Sequence, residues 1–151
     1  MKPSIAQNAV AFAACVFCLG WSFVASVASA QETHQIRIKM GAQVVTGSLN
    51  DSEAAKNFIS MLPLTIEMDD HLRREKTGII PEPLSERTPG SPTYELGDLG
   101  YWRPRNSFVI FYRQDGLTIP GPGIVRLGKI DSGIEIFDRP GTVKVTIELI
   151  K

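Results

Sequence analysis

The chain has 151 residues and a formal net charge of zero, with 21% charged and 43% hydrophobic residues. That suffices for one ordinary domain with its own core, and it excludes both a basic nucleic-acid binder and an acidic disordered tail. Thirteen glycines and ten prolines imply a chain with many turns.

Residues 1–30 carry one charge, Lys2, and no acid. Ala9 to Ala30 is nearly all apolar or small, and Ala28-Ser29-Ala30 precedes polar Gln31-Glu32-Thr33. A cationic start, an apolar middle and a small-residue exit predict a secretory signal peptide over 1–30, and a mature domain over 31–151. The protein is then secreted or periplasmic after cleavage following Ala30, with no stable membrane insertion. Two other readings exist. The run is just long enough for an uncleaved anchor, which Gly20, Ser22, Ser26 and Ser29 argue against. Cys15 after Phe12-Ala13-Ala14 suggests a lipoprotein, but the apolar stretch before it is short and continues beyond it. Cleavage leaves 15 Lys and Arg against 16 Asp and Glu. It also removes both cysteines, Cys15 and Cys18, so the mature domain has no disulfide, thiolate metal site or cysteine nucleophile.

Ile36, Ile38 and Met40 alternate with Arg37 and Lys39, as a half-buried strand does, and Gly41-Ala42 turns it into a partner over Gln43 to Ser48. Asn50 is placed to cap a helix, with Glu53 three residues on. Ala55, Phe58, Ile59 and Leu62 then form one apolar stripe, which Pro63 ends. Leu64, Ile66 and Met68 alternate as a strand. Asp69 to Lys76 is charged and polar and Pro81 to Thr93 holds four prolines, so 69–93 reads as a long excursion with one short strand near Ile79-Ile80. Leu96 to Trp102 and Ser107 to Tyr112 are strands split by Arg103-Pro104-Arg105-Asn106. Ile119 to Gly123 is neither helix nor central strand. Ile124 to Ile130 is a strand, Ser132 to Phe137 a short helical turn, and Thr142 to Ile150 the clearest strand. No repeat is visible. Many short strands with few helices predict a mainly β closed barrel or sandwich.

Several phrases carry a resemblance. Ser52 to Phe58 is similar to the first helix of cyclophilins. Gly97-Asp98-Leu99 ahead of Asn106 to Phe111 is similar to their paired central strands, and Val125 to Glu135 to their late strand, Gly-Lys turn and short helix. Met61 to Leu64, Gly97 to Trp102 and Leu127 to Gly133 most resemble the small bacterial cyclophilin-like family, which shares the barrel but is not established as a prolyl isomerase. The resemblance covers nearly all of 35–150. It implies a closed eight-stranded antiparallel barrel with one main helix and one short helix.

Departures from true cyclophilins bear on function. Those proteins place an arginine on the strand after the first helix, followed by a Phe-Met-x-Gln phrase; here that strand is Leu64 to Met68, with neither. They carry a Trp and a His ahead of the late strand; here Leu117 to Gly123 has neither. Only Phe108 and Phe111 have a counterpart, so the proline-binding pocket is mostly not carried over.

The remaining chemistry sits on the central strands. Prolyl isomerisation needs a hydrophobic socket and a donor that weakens amide resonance, the source of a barrier of about 20 kcal/mol. Arg103 and Arg105, beside Tyr101, Trp102 and Phe108, are candidate donors, or could bind a carboxylate ligand. The bland alternative is a rim of solvated arginines. Tyr101, Trp102, Asn106, Phe108 and Phe111 are candidate ligand-binding residues, and core packing is the competing fate of the aromatics. Asp69-Asp70-His71 matches no strong zinc motif and reads as a solvated loop. Glu95 and Asp98 point to opposite faces if they share a strand. No cofactor, metal or nucleic-acid partner is expected. The first expectation is an exported domain that binds a small molecule or peptide in a cleft beside the central strands and the 69–93 loop. The others are a weak prolyl isomerase acting on exported proteins and an accessory domain with no pocket.

Overall fold

The protein is described here by a computed structural model that covers residues 32–150. The expected signal peptide lies outside the described residues. Eight strands form the domain: β1 His34–Met40, β2 Gln43–Leu49, β3 Leu64–His71, β4 Glu75–Ile79, β5 Asp98–Trp102, β6 Ser107–Phe111, β7 Val125–Ile130 and β8 Val143–Leu149. Each pairs antiparallel with its neighbours in the order β1-β2-β7-β5-β6-β4-β3-β8, and β8 returns to β1 to close the barrel. Closure leaves no sheet edge unpaired.

Alternation fills the interior. Ile36 and Ile38, Val45 and Leu49, Ile66 and Met68, Leu99 and Tyr101, Phe108 and Ile110, Val125 and Leu127, and Val143, Val145 and Ile147 are buried in one core. Helix α1, Glu53–Ser60, buries Ala54, Ala55 and Phe58 against it. Phe58 stacks on Phe108 with ring centroids 4.7 Å apart and planes within 6°. The helix cap differs from expectation by two residues. Ser52 is the N-cap, its Oγ accepting from the Ala55 N–H at 3.2 Å. Asn50 instead ties the helix entry to β7: its Oδ1 accepts from the Ser52 N–H and its Nδ2 donates to the Arg126 carbonyl.

Asp69 to Lys76 is not a solvated loop. β3 runs on to His71, the chain turns through Leu72 and Arg73 at positive φ, and β4 begins at Glu75. The true long connection is 80–97. β4 escapes periodicity because its inward positions are Lys76 and Gly78, where an apolar pair is the rule. Gly78 has no room for a side chain: a Cβ there would lie 2.5 Å from Ile66 Cγ2 and 2.6 Å from the Glu67 carbonyl.

Lys76 is fully buried. Its ammonium donates to Asp70 Oδ1 at 3.0 Å, the Arg139 carbonyl at 2.5 Å and the Gly141 carbonyl at 2.9 Å, which uses all three protons. Tyr112 donates to the same Asp70 oxygen at 2.5 Å, and Arg73 to the other at 3.1 Å. Burial works against an ionised Asp70, but the hydrogen bonds from Tyr112, Lys76 and Arg73 outweigh it and hold the carboxyl below its usual range. Burial and the bond to Asp70 push the Tyr112 hydroxyl up to about 12.

Replacing Lys76 by Met removes one of the two cations that pair with Asp70 and leaves two carbonyls without their donor, and should cost roughly 3 kcal/mol of unfolding free energy in urea. Adding Asp70→Asn should recover part of that loss. A single variant as stable as the native protein would show that the buried pair does not hold β4 in place.

Candidate functional site

The outward positions of the central strands build a second structure on the barrel wall. Val109 and Phe111 of β6 face out and join Tyr94, Ile119 and Ile124 in a small buried cluster, with Trp102 of β5 packed beside it. β5 contributes Gly100 to this face. A Cβ there would meet Ile124 Cγ1 at 2.5 Å, so glycine lets Ile124 lie directly on the strand. The covering segment is anchored by its backbone. Ser91 and Ile124 exchange two N–H to carbonyl bonds of 2.8 Å, and the Ile119 N–H donates to the Pro92 carbonyl at 2.8 Å. Gly123 enters this crossing at φ 73°, where a Cβ would lie 2.5 Å from the Ser91 carbonyl oxygen.

Between the covering segment and β4 lies a cleft of about 290 Å³. Val109, Phe111 and Thr77 form its floor, and Ile119, Pro120 and Ile124 its wall. Trp102 and Arg105 stand at one end, and His71, Leu72, Arg74 and Glu75 at the other. This apolar lining with a few polar groups is what a small-ligand site requires.

The Glu75 end is a buried charge network. Arg74 is 5% exposed and Glu75 8%. Arg74 Nε donates to Glu75 Oε2 at 3.1 Å and Nη1 to Asp115 Oδ2 at 3.1 Å, with the guanidinium 5.4 Å from the centre of the Tyr94 ring. Tyr94 donates to Asp115 Oδ1 at 2.9 Å and stacks on Phe111 at 4.0 Å. The network therefore joins β4 to the covering segment and to the floor. Burial pushes the Glu75 carboxyl above the usual carboxylate range, against the pull of Arg74 and His71. The Leu117 N–H leads the groups that hold Asp115 low, with Tyr94 and Arg74 behind it.

Of the residues singled out from the sequence, the structure brings Trp102, Arg105 and Phe111 to this cleft. Tyr101 and Phe108 point inward as core residues. The Tyr101 hydroxyl donates to Asn106 Oδ1 at 2.9 Å, and Asn106 in turn donates to the Ile80 carbonyl at 2.8 Å. Asn106 thus holds the turn between β5 and β6, where it sits at φ 48° and ψ 48°. Arg103 faces away from the cleft, its Nη2 donating to the Glu86 and Thr88 carbonyls. Arg105 has no side-chain partner among the described residues.

Glu95 and Asp98 serve separate roles. Glu95 pairs with Lys129 at 2.7 Å, while Asp98 pairs with Arg126 at 2.9 Å. Among the described residues no group of three or more His, Cys, Asp or Glu side chains could hold a metal ion. Glu75 and Thr77 were missed in the sequence because their strand has no apolar alternation. Only the proline and glycine run at 119–123 marked the wall.

A closed eight-stranded antiparallel barrel capped by one helix is the architecture of the cyclophilin-like class. The chain matches the Cyclophilin-like family over residues 38–148 and belongs to that family. Its fold is similar to the solution structure of a hypothetical protein from Archaeoglobus fulgidus, with a TM-score of 0.64 at 15% identity. That alignment covers 82% of this chain and 99% of the other. At that identity the likeness speaks for the fold alone. A search of curated proteins finds no match.

The pH dependence of stability tests the Glu75 environment. A raised carboxyl holds its proton longer in the folded state, so its contribution to stability is full below the unfolded value and is lost as pH rises through the folded value. Glu75→Gln abolishes that loss. Whatever offset the missing ion pair adds, the Tm of Glu75→Gln relative to native should climb from about pH 4 to about pH 7. A relative Tm that falls over the same range would refute the raised carboxyl.

Proposed function

We propose that the protein is an exported cyclophilin-like domain that binds a small ligand or peptide in the cleft beside its central strands. The observation that carries this reading is the pairing of an apolar floor and wall with Arg105, a cation at the rim with no side-chain partner among the described residues. A guanidinium in that position offers paired N–H donors to a carboxylate or carbonyl whose apolar part lies on Val109, Phe111 and Trp102. The covering segment is already tied to 91–92 by backbone hydrogen bonds at Ile119 and Ile124, so little ordering entropy opposes binding.

Arg105 also supports a second reading, a weak prolyl isomerase acting on exported proteins. Its donors could reach the nitrogen or carbonyl of a proline seated on the floor, and a hydrogen bond there weakens amide resonance. Arg103 is not available for this, because its guanidinium is engaged by loop carbonyls.

Two probes separate these readings: phenylacetate, an aromatic carboxylate, and a chromogenic X-Pro tetrapeptide. Binding predicts saturable NMR shifts of the Val109, Ile119 and Ile124 methyl groups with phenylacetate, weakened about tenfold in Arg105→Ala. Shifts scattered over the barrel, or none, would sink it. Acceleration of prolyl isomerisation that disappears in Arg105→Ala would establish the second reading, and its absence in folded protein would retire it.

Export is a separate proposal, supported by the composition of residues 1–30. N-terminal sequencing of protein recovered outside the cytoplasm should begin at Gln31. Recovery only inside the cell, with Met1 retained, would count against it.

A further inference from the structure

The two ends of the cleft differ in charge. At one end a single cation, Arg74, serves two carboxylates, Glu75 and Asp115. With both carboxyls ionised that end carries one negative charge in excess, with His71 the further titratable group facing Glu75. Only one Glu75 oxygen is used: Oε2 accepts from Arg74, while Oε1 has no hydrogen-bond partner among the described residues and is not sealed from solvent. At the other end, among the described residues, Arg105 has no carboxylate opposite it, and no acid other than Glu75 lines the cleft.

The strand register sets the distance between the ends. Glu75 lies opposite Phe111 and Ile79 opposite Ser107, just beyond Arg105 in the chain. Four strand steps separate those levels, about 13 Å. Side chains reaching in from both ends leave room for a molecule of about 10 Å, the length of three extended residues. Between the ends the floor is apolar except for the Thr77 hydroxyl.

Resting on the cleft being a binding site, we infer that it takes a short zwitterionic peptide laid along β4. The peptide's ammonium sits on Glu75 Oε1, its carboxylate on Arg105, and an apolar side chain between Phe111, Ile119 and Trp102. The charge pattern selects this ligand over an uncharged apolar one. A neutral molecule would cover Glu75 Oε1 and give it no donor, which leaves a buried acceptor unpaired. It also selects against a plain dicarboxylate, whose second anion would face the negative end.

The test uses one peptide in three forms: Ala-Leu-Ala with free termini, with an acetylated N-terminus, and with an amidated C-terminus. Each is titrated into the native protein while the Val109, Ile119 and Ile124 methyl resonances are followed. The free peptide should bind saturably, and each cap should weaken it about tenfold. In Glu75→Gln the penalty for acetylation should vanish while that for amidation stays, and Arg105→Gln should do the reverse. The capped peptides act on native protein, so the outcome stands even where a variant fails to fold. Equal affinity of all three forms would overturn the polarity and leave a cleft that binds. Silence with all three peptides, while phenylacetate still shifts the cleft methyls, would overturn this inference alone. Silence with phenylacetate as well would overturn the binding reading beneath it.

Discussion

The structure depends on the buried ammonium of Lys76. A lysine inside a β-barrel is tolerated only when its charge and all three protons are met. Asp70 and the carbonyls of Arg139 and Gly141 meet them, and Tyr112 and Arg73 complete the Asp70 shell. The consequence is topological. One side chain fastens β4 to the end of β3 and to the segment that leads into β8. Because neighbouring residues on a strand face opposite sides, fixing Lys76 inward also fixes Glu75 and Thr77 outward. The candidate site is therefore held from beneath by a polar cluster whose side chains lie outside its lining.

The central strands carry a comparable division. Phe108 and Ile110 belong to the barrel core, while Val109 and Phe111 belong to the outer cluster. Four consecutive hydrophobic residues, Phe108 to Phe111, are the mark of a strand buried on both faces. Burial of the outer face needs a cover, and the chain supplies it with the 113–124 segment, hydrogen-bonded to 91–92 and seated over Gly100. The cover meets the wall at Ile119 and Ile124 and leaves the cleft toward β4. Aromatics are divided accordingly. Tyr101 and Phe108 stabilise the barrel, whereas Trp102 and Phe111 line the cleft.

This division explains what could be read from the sequence. Seven strands, the main helix and the short late helix announce themselves by period, turn residues and length. β4 does not, since Lys76 and Gly78 occupy the inward places where apolar residues are diagnostic. The sequence marks only a short strand near Ile79-Ile80, so the end of β3, the turn at 72–74 and most of β4 merge with the connection after them into one long excursion, and Glu75 is hidden. Period also cannot say which of two neighbouring aromatics faces in. Trp102, Arg105 and Phe111 were legible as site candidates from their position on the central strands. Tyr101, Asn106 and Phe108 were chosen by the same logic, but they serve the core and the turn. Arg103 and Arg105 look equivalent in the chain; a single turn of 3₁₀ helix, Arg103–Arg105, sends them to different surroundings.

The electrostatics of the cleft follow from the same architecture. Glu75 is buried because it lies at the foot of a covered strand, and burial raises the free energy of its ionised form. Arg74 offsets part of that cost, yet it is shared with Asp115, which needs it to hold the covering segment through Tyr94. The sharing leaves one carboxylate oxygen short of a donor. A ligand ammonium would supply that donor, and it would compete with a proton for the same oxygen. Ligand and proton are then linked: a bound cation draws the Glu75 carboxyl back toward its ordinary range, and protonation of Glu75 releases the cation. A barrel wall built to be covered thus ends in a carboxylate with one oxygen open to solvent and without a donor from the described residues.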